Sequence, residues 1–283
     1  MTAASPPTTG ATPDTTAWTP PAPSTLRTFG ALLLRDMTVL RKNLREFLPR
    51  TILQPLLLVF VFTYVFPKIG QSIGNGAGSE EFSTLLIAGV LGTTILFQGI
   101  QSTALPLVQE FGFTREIEDR VLAPLPLQFV AIEKIVSGAL QCLLSALIVF
   151  PIARYVPATP VNLQLHWAVV VTLIPLACIF AATIGLTFGT IFEPRTVPML
   201  FGVVIVPMTF LGCVYFTWQS LAPIKWLQIL VLVNPLVYIC EGFRAALTPV
   251  PHMSLWVIYG VVVCGTIVLG TLSLRFFERR VIT

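Results

Sequence analysis

The residues best placed to act on a partner lie in one charged segment, EFGFTREIEDRVLAPLPLQ, which runs from residue 110 to residue 128. Six of its nineteen residues are charged, whereas the chain on both sides is almost wholly apolar. If the segment is helical, four residues can form one apolar side: Phe111, Phe113, Ile117 and Val121. Five charged residues then remain exposed: Arg115, Glu116, Glu118, Asp119 and Arg120. Pro124 and Pro126 end such a helix before the next apolar run.

Two interpretations of this segment are open from its residues alone. An exposed helix with an aromatic ridge and flanking charges is suited to docking into the groove of a partner protein. A solvated loop, whose charges only keep it out of lipid, explains the same composition equally well.

The sequence lacks the residue sets that catalysis, cofactor binding or metal binding would need. No GxxxxGK[ST] phosphate loop occurs, so the chain has no such motif for hydrolysing ATP itself. The two histidines, His166 and His252, are best explained as surface residues. The five cysteines lie singly in apolar runs and are interpreted as small apolar side chains, a bridge between Cys213 and Cys240 being the alternative. We therefore assign no catalytic, cofactor-binding or metal-binding residue to this chain.

The composition indicates which solvent surrounds the rest of the chain. Of the 283 residues, 55% are hydrophobic and only 11% are charged, against about 25% charged in soluble domains. The mean hydropathy is +0.84. A single soluble core could not bury so much apolar surface, so we predict an all-α membrane protein.

Six apolar runs approach the roughly 20 residues that a helix needs to cross a bilayer. They are Arg50–Phe66, Phe82–Leu107, Ile132–Ala153, His166–Phe192, Val197–Trp218 and Ser254–Leu274. A seventh run, WLQILVLVNPLVYIC from 226 to 240, is shorter and is broken by Pro235. Its length favours a re-entrant or interfacial helix pair over a span.

The basic residues support this count of six spans. With the amino terminus inside, thirteen of the seventeen lysines and arginines fall in cytoplasmic pieces, as the positive-inside rule requires. Trp167, Trp218 and Trp256 then fall at the outer ends of spans, where indoles are enriched. We expect a multi-pass protein of the bacterial plasma membrane with both termini in the cytoplasm.

Three segments flank the spans. Residues 1–25 are too poor in apolar side chains to fold and are predicted to be a disordered cytoplasmic tail. Residues 26–48 place apolar residues at steps of three or four beside a basic face, which predicts an amphipathic interfacial helix; a first turn of span one is the alternative. Residues 49–275 form the transmembrane domain, and 276–283 a second cytoplasmic tail.

The predicted spans contain no Asp, Glu, Lys or Arg away from their ends. Proton-coupled and ion-coupled carriers generally need such groups within the membrane, so an ion-coupled carrier is disfavoured. Any work on a substrate must then be delivered through contact with another protein, for which the charged segment is the candidate.

Two stretches, REIEDRVLAPLPLQFVAIEKIV and NPLVYICEGFRAAL, resemble the membrane subunit of ABC-2 type transporters, particularly the small daunorubicin-resistance-like exporters. The first stretch and the glutamate five residues before it match the family pattern at Glu110, Arg115, Glu116, Leu122, Pro126 and Lys134. The second, from 234 to 247, matches the family's Asn-Pro, aromatic, Glu and Arg pattern before the last span. The chain departs from many relatives in having no glycine between Asp119 and Ala123.

The resemblance implies a type V exporter fold in which two permeases, two copies or a copy and a paralogue, pair in the lipid bilayer. Each would bind a cytosolic ABC ATPase, and that partner would hold the ATP and Mg; nucleic acid is not expected as a partner. Residues 110–124 would be the coupling helix, 26–48 the connecting helix and 219–247 the re-entrant helices of an outer gate.

The resemblance also assigns candidate residues. The ATPase-coupling set is Glu110, Phe111, Phe113, Arg115, Glu116, Asp119, Arg120, Pro124 and Pro126. The outer-gate set is Asn234, Pro235, Tyr238, Glu241 and Arg244. Glu241 and Arg244 lie three residues apart on one helix face, so they can pair locally, or one of them can bridge two subunits. Four aromatic residues could line a translocation path or face lipid: Phe201, Phe210, Tyr215 and Phe216.

The expected function is that of a permease subunit that exports an amphipathic drug or lipid-like substrate, powered by a separate ATPase. A polysaccharide or glycolipid exporter of the same fold is the first alternative. A membrane assembly factor that transports nothing is the second.

Overall fold

The computed structural model of the chain describes residues 25–69, 77–114, 126–156, 162–192, 196, 199 and 201–282. Within these ranges all regular elements are helical, which confirms the prediction of an all-α protein. In chain order the helices are α1 (Thr25–Lys42), α2 (Leu44–Phe60), α3 (Ala77–Gln109), α4 (Leu127–Tyr155), α5 (Trp167–Ile191), α6 (Val206–Phe210), α7 (Lys225–Leu230), α8 (Pro235–Leu247) and α9 (Leu255–Ile282).

Short π-helical and 3₁₀ turns extend or connect several of these helices. A π-helical turn, Val61–Val65, carries α2 on to Phe66–Lys68, and a second one, Glu110–Thr114, continues α3. A third, Phe201–Ile205, leads into α6. Short 3₁₀ turns lie at Trp218–Leu221 and Val231–Val233.

Five helical segments among the described residues are long and apolar enough to cross a bilayer. They are Leu44–Val65, Glu81–Gly112, Leu127–Ile152, Trp167–Ile191 and Leu255–Arg280. A sixth crossing is obtained if Lys225–Val233 and Pro235–Leu247, which meet at an angle of 96°, are counted together as one broken span. The same bend suits the re-entrant pair predicted for this region.

The predicted span Val197–Trp218 is not one continuous helix. Within the described residues the helix ends at Phe210, and turns follow from Leu211. Cys213 adopts a left-handed conformation, with φ 52°, which ends a right-handed helix. A Cβ atom on the preceding Gly212 would lie 2.4 Å from Cδ2 of Leu236, so α8 occupies the place where a longer helix would continue.

Three other boundaries differ from the prediction. The amphipathic helix ends at Lys42 instead of residue 48, and α2 begins at Leu44 after a turn at Asn43. Helix α4 begins at Leu127, five residues before the predicted span. Helix α9 continues to Ile282 through residues predicted to be a tail, because Phe277 and Arg280 pack against the bundle, as shown below.

Helix α3 lies at the centre of the bundle, against α4, α5 and α8. Its closest seam is with α5, where small residues face each other. A Cβ atom on Gly185 would lie 2.5 Å from the carbonyl oxygen of Gly99, and one on Gly99 would lie 2.5 Å from Cβ of Ala181. Side chains at either glycine would therefore force the two backbones apart.

Candidate functional site

The charged segment is described only at its two ends. Residues 115–125 lie outside the described residues, and with them Arg115, Glu116, Asp119, Arg120 and Pro124 of the predicted coupling set. The backbone of Phe113 belongs to the π-helical turn after α3, and Pro126 stands immediately before α4. The positions of Glu110, Phe111 and Lys134 show how the ends of the segment are held.

Lys134 joins three helices at the end of the bundle where the charged segment attaches. Its Nζ lies 2.6 Å from Oε1 of Glu110, at the end of α3, and 3.4 Å from Oδ2 of Asp36, on α1. All three side chains are largely or wholly buried. Because an unpaired buried charge is costly, each of these groups holds the others in place.

A second contact ties the same π-helical turn to the carboxyl-terminal helix. The ring of Phe111 lies 5.9 Å from the ring of the buried Phe277, edge to face, and the Arg280 guanidinium lies 4.7 Å from the Phe111 centroid. These geometries are favourable for aromatic pairs and for a cation over a ring.

Arg280 also caps the carboxyl-terminal end of α5. Its Nη1 donates to the carbonyl oxygens of Gly189, Thr190 and Phe192, at 3.0, 3.0 and 2.8 Å. These carbonyls are among those that a helix end leaves without an intrahelical donor, and the helix dipole favours a cation there. One arginine thus connects the ends of α5 and α9 to the turn after α3.

We call these six residues the junction cluster: Asp36, Glu110, Phe111, Lys134, Phe277 and Arg280. Glu110 and Phe111 were predicted as coupling residues and Lys134 as part of the family pattern. Glu110 is buried and ion-paired, so it does not lie on an exposed docking face. Asp36, Phe277 and Arg280 were missed, although Asp36 is the one acidic residue of a basic helix.

A polar cleft of about 550 Å³ opens beside the junction cluster, between α1, α2, α3 and α4. Its lining includes Asp36, Glu110 and Lys134 themselves, together with Gln98, Gln101 and Arg50. The cleft has the size of ordinary small-molecule sites, which run to about 1,000 Å³.

The predicted outer-gate residues form a second buried cluster, around α8. Nη1 of Arg244 lies 2.8 Å from Oε1 of Glu241, and both side chains are fully buried in the single chain. The Glu241 carboxylate also accepts hydrogen bonds from the backbone N–H groups of Trp218 and Met253, each at 2.9 Å. The pair is therefore made within one chain.

Arg244 completes this cluster by donating to the 211–217 turn. Its Nη2 donates to the carbonyl oxygens of Cys213, the left-handed residue, and Val214. A Cβ atom on Gly89 of α3 would lie 2.2 Å from that Val214 oxygen. The turn is thus fixed between α8 and α3, at a point about 31 Å along α3 from Glu110 at 1.5 Å per residue.

The other predicted gate residues shape the start of α8. Asn234 caps the helix through a hydrogen bond from Leu236 N to its Oδ1, at 3.0 Å, and its Nδ2 donates to Met208 O at 2.7 Å. Pro235 occupies the first turn, where a missing N–H costs nothing. The Tyr238 hydroxyl donates to Leu232 O at 2.9 Å, so the 96° bend is held on both sides.

Three of the four aromatic residues predicted for a translocation path, Phe210, Tyr215 and Phe216, do not share one surface in the single chain. Phe210 is exposed, whereas Tyr215 packs against Phe62 with centroids 5.4 Å apart. Phe216 packs in a separate cluster with Cys213 and Leu221. The side chain of Phe201 lies outside the described residues.

Of the three tryptophans predicted at the outer ends of spans, Trp218 is the least exposed. It is half-buried, and its Nε1 donates to Gln228 O at 3.1 Å. Trp167, Trp226 and Trp256 are strongly exposed on the helix surfaces, as residues at a lipid interface would be.

Long apolar helices around a central helix, joined by a hydrophilic segment anchored at one end of the bundle, define a multi-pass helical membrane protein. The chain belongs to the ABC-2 type transporter family, whose family model matches residues 27–248. It is 25% identical over 221 residues to the "Inner membrane transport permease YadH" of Escherichia coli strain K12, covering 76% of this chain and 82% of the relative. The same identity and coverage hold for the protein of that name in Shigella flexneri. The resemblance seen in the two sequence stretches is thereby confirmed.

Proposed function

We propose that the chain is the permease subunit of an ATP-binding-cassette exporter in a bacterial plasma membrane. It would move an amphipathic drug or lipid-like substrate outward, with ATP and Mg held by a separate cytosolic ATPase. Two permeases, identical or paralogous, would form the route between them. The observation that carries this proposal is the junction cluster, because it fastens the end of the charged segment to α1, α4 and α9 simultaneously.

In this mechanism the charged segment is the input for mechanical work. In the predicted coupling helix, 110–124, the residues that follow Phe111 would dock into a groove of the ATPase, and ATP binding would move that groove. The displacement would pass through Glu110 and Lys134 into α3 and α4, and through Asp36 into the interfacial helix α1. Since α3 is also packed against the Val214 turn, its movement would reach the proposed outer gate.

The test is transport of a dye panel in inside-out vesicles that contain the permease and its cognate ATPase, with a hydrolysis-dead ATPase for comparison. We expect Arg115→Ala and Glu116→Ala to reduce transport to the hydrolysis-dead level while membrane insertion stays normal. Glu81→Ala is the matched control, because Glu81 is exposed at the other end of α3. Full transport in both coupling variants would contradict the coupling role.

Copurification separates the exporter from the alternatives. A nucleotide-hydrolysing subunit that copurifies with the wild-type permease and is lost from the Glu116→Ala variant supports the exporter. A permease that binds no ATPase would instead favour the non-transporting assembly factor. Transport of glycolipid but of no dye would favour the polysaccharide or glycolipid exporter.

A further inference from the structure

Three cavities of the described structure meet at one residue, Arg50 of α2. The first is the polar cleft between α1, α2, α3 and α4. The second is a small gap between α2 and α3, whose lining includes Thr93 and Phe97. The third is a groove of about 520 Å³ along the outward face of α2, which we call the α2 groove, lined by Arg50, Leu53, Gln54, Leu57, Leu58, Val61 and Phe62.

Arg50 has unused hydrogen-bonding capacity at this meeting point. Its Nε donates to Oε1 of Gln101 at 2.6 Å. In the part of the chain that the structure describes, no carboxylate forms an ion pair with it. A guanidinium carries five N–H donors in a planar fork that fits a carboxylate or phosphate group, so its two terminal nitrogens are available to an anion.

The acidic residues that line the polar cleft do not form an ion pair with Arg50. Asp36 and Glu110 share Lys134. Glu46 lies one helical turn before Arg50 and lines the same cleft, but it makes no ion pair with Arg50. Arg35 adds a further cation to the lining. The wall around Arg50 also includes three neutral amides, Gln54, Gln98 and Gln101, which can hydrogen-bond a polar head group.

The α2 groove continues from Arg50 as an apolar stripe. Leu53, Leu57 and Val61 follow at steps of four residues on one helix face. Leu53 is 57% exposed and Leu57 is 51% exposed, so the groove is open at its side. From Arg50 to Phe62 the helix rises about 18 Å at 1.5 Å per residue, close to the roughly 15 Å of hydrocarbon in one leaflet of a 30 Å core.

We propose that this site binds an anionic amphiphile from the bilayer, with its acidic head on Arg50 and Gln101 and its acyl tail along the α2 groove. A single cation at the polar end of a leaflet-length apolar groove matches an amphiphile with one acidic head and an acyl chain that lies along the groove. The proposal rests on the proposed function in that it names the substrate class of the permease.

The binding test does not require transport. Purified full-length permease in nanodiscs is exposed to two photoactivatable lipids with the same acyl chain, a phosphatidic acid and an uncharged diacylglycerol. We expect Arg50→Gln to reduce labelling by the phosphatidic acid about tenfold or more, as for loss of a charge-assisted hydrogen bond. Labelling by diacylglycerol should not change. Arg50→Lys should retain part of the anionic labelling, since it keeps the charge without the fork.

Two further variants separate the head from the tail. Arg45→Gln removes a charge five residues earlier on the same helix, from an exposed side chain that lines none of the three cavities, and should label like wild type. Leu57→Trp should fill the groove and reduce labelling by both lipids. The labelled peptide should come from α2 or α3.

Four results would overturn the proposal. An equal loss of labelling by the phosphatidic acid in Arg50→Gln and Arg45→Gln would show that any positive charge on this helix attracts the lipid. Competition by inorganic phosphate alone would show a soluble anion site without a tail. Leu57→Cys chains that cross-link to each other and exclude the lipid would show that a second copy covers the groove. Labelled peptides outside α2 and α3 would place the lipid elsewhere. Transport without labelling by the anionic lipid would support the exporter function and contradict this binding site. Labelling without transport would support the binding site and contradict the exporter function.

Discussion

At the scale of single residues, buried ion pairs fix how the apolar helices of this chain are placed against their neighbours. Lys134 is 4% exposed and Glu110 is 6% exposed, so neither is hydrated as a surface charge would be. Removing one partner of such a pair leaves an uncompensated charge, which costs more than the pair contributes.

The first prediction concerns this pair. Lys134→Met should destabilise the purified permease by about 3–5 kcal/mol, because Glu110 and Asp36 would keep buried charges without a cation. Glu110→Gln combined with Lys134→Met should recover part of that loss, as a double-mutant cycle in detergent would show. Lys42→Met, on the exposed end of α1, is the control. A single variant no worse than this control would contradict the role assigned to Lys134.

The second prediction concerns Arg244. Arg244→Met should sharply lower the yield of folded protein, since the fully buried Glu241 would lose its ion-pair partner and the Cys213 and Val214 carbonyls would lose their donor. Arg154→Met removes an exposed arginine at the end of α4 and should have little effect. Size-exclusion profiles of the two variants give the comparison, and indistinguishable profiles would refute the structural role of the Glu241–Arg244 pair.

At the scale of elements, the long helices could be predicted from the sequence, but their ends and joints could not. Apolar runs such as His166–Phe192 predicted α5 closely, because about twenty apolar residues have few other stable arrangements in lipid. The breaks at Asn43 and Cys213 depend on tertiary packing, in the second case on Leu236 of α8. The Lys134–Asp36 contact joins residues 98 positions apart, and a single sequence carries no signal for such a pair.

The α3–α5 seam gives the third prediction. Gly185→Ala should lower the midpoint of thermal unfolding, because its Cβ atom would meet the Gly99 carbonyl oxygen at 2.5 Å and Cα of Ile100 at 3.0 Å. Gly260→Ala is matched in chemistry and lies within α9 with nothing within 4 Å of the new atom. It should be neutral or slightly stabilising, since alanine favours helix over glycine by about 1 kcal/mol. Equal midpoints of thermal unfolding for the two variants would show that α3 and α5 can move apart at this contact without loss of stability.

At the scale of the whole molecule, the geometry places α1, the two described ends of the charged segment and the end of α9 on one face of the bundle. The contacts of Lys134 and Arg280 establish this without reference to a membrane. The charge bias of the sequence assigns that face to the cytoplasm, and this assignment stays a prediction.

A labelling experiment checks the assignment as the fourth prediction. In a background without the exposed Cys264, a cysteine at Glu118 should react with a membrane-impermeant maleimide only in broken cells. A cysteine at Gln219, which lies in an exposed turn of the opposite face, should react in intact cells. The reverse pattern would put the charged segment outside and remove the basis for an ATPase partner there.

Helix α3 is held at two points, by the Val214 turn at Gly89 and by Lys134 at Glu110. An α-helix turns about 100° per residue, so adding or deleting one residue between these points would rotate one contact away from its partner. The spacing of twenty-one residues therefore sets the direction in which each contact residue faces, as well as the distance between them. Sequence alignments of other permeases that share both contacts should show no single-residue gap within this interval.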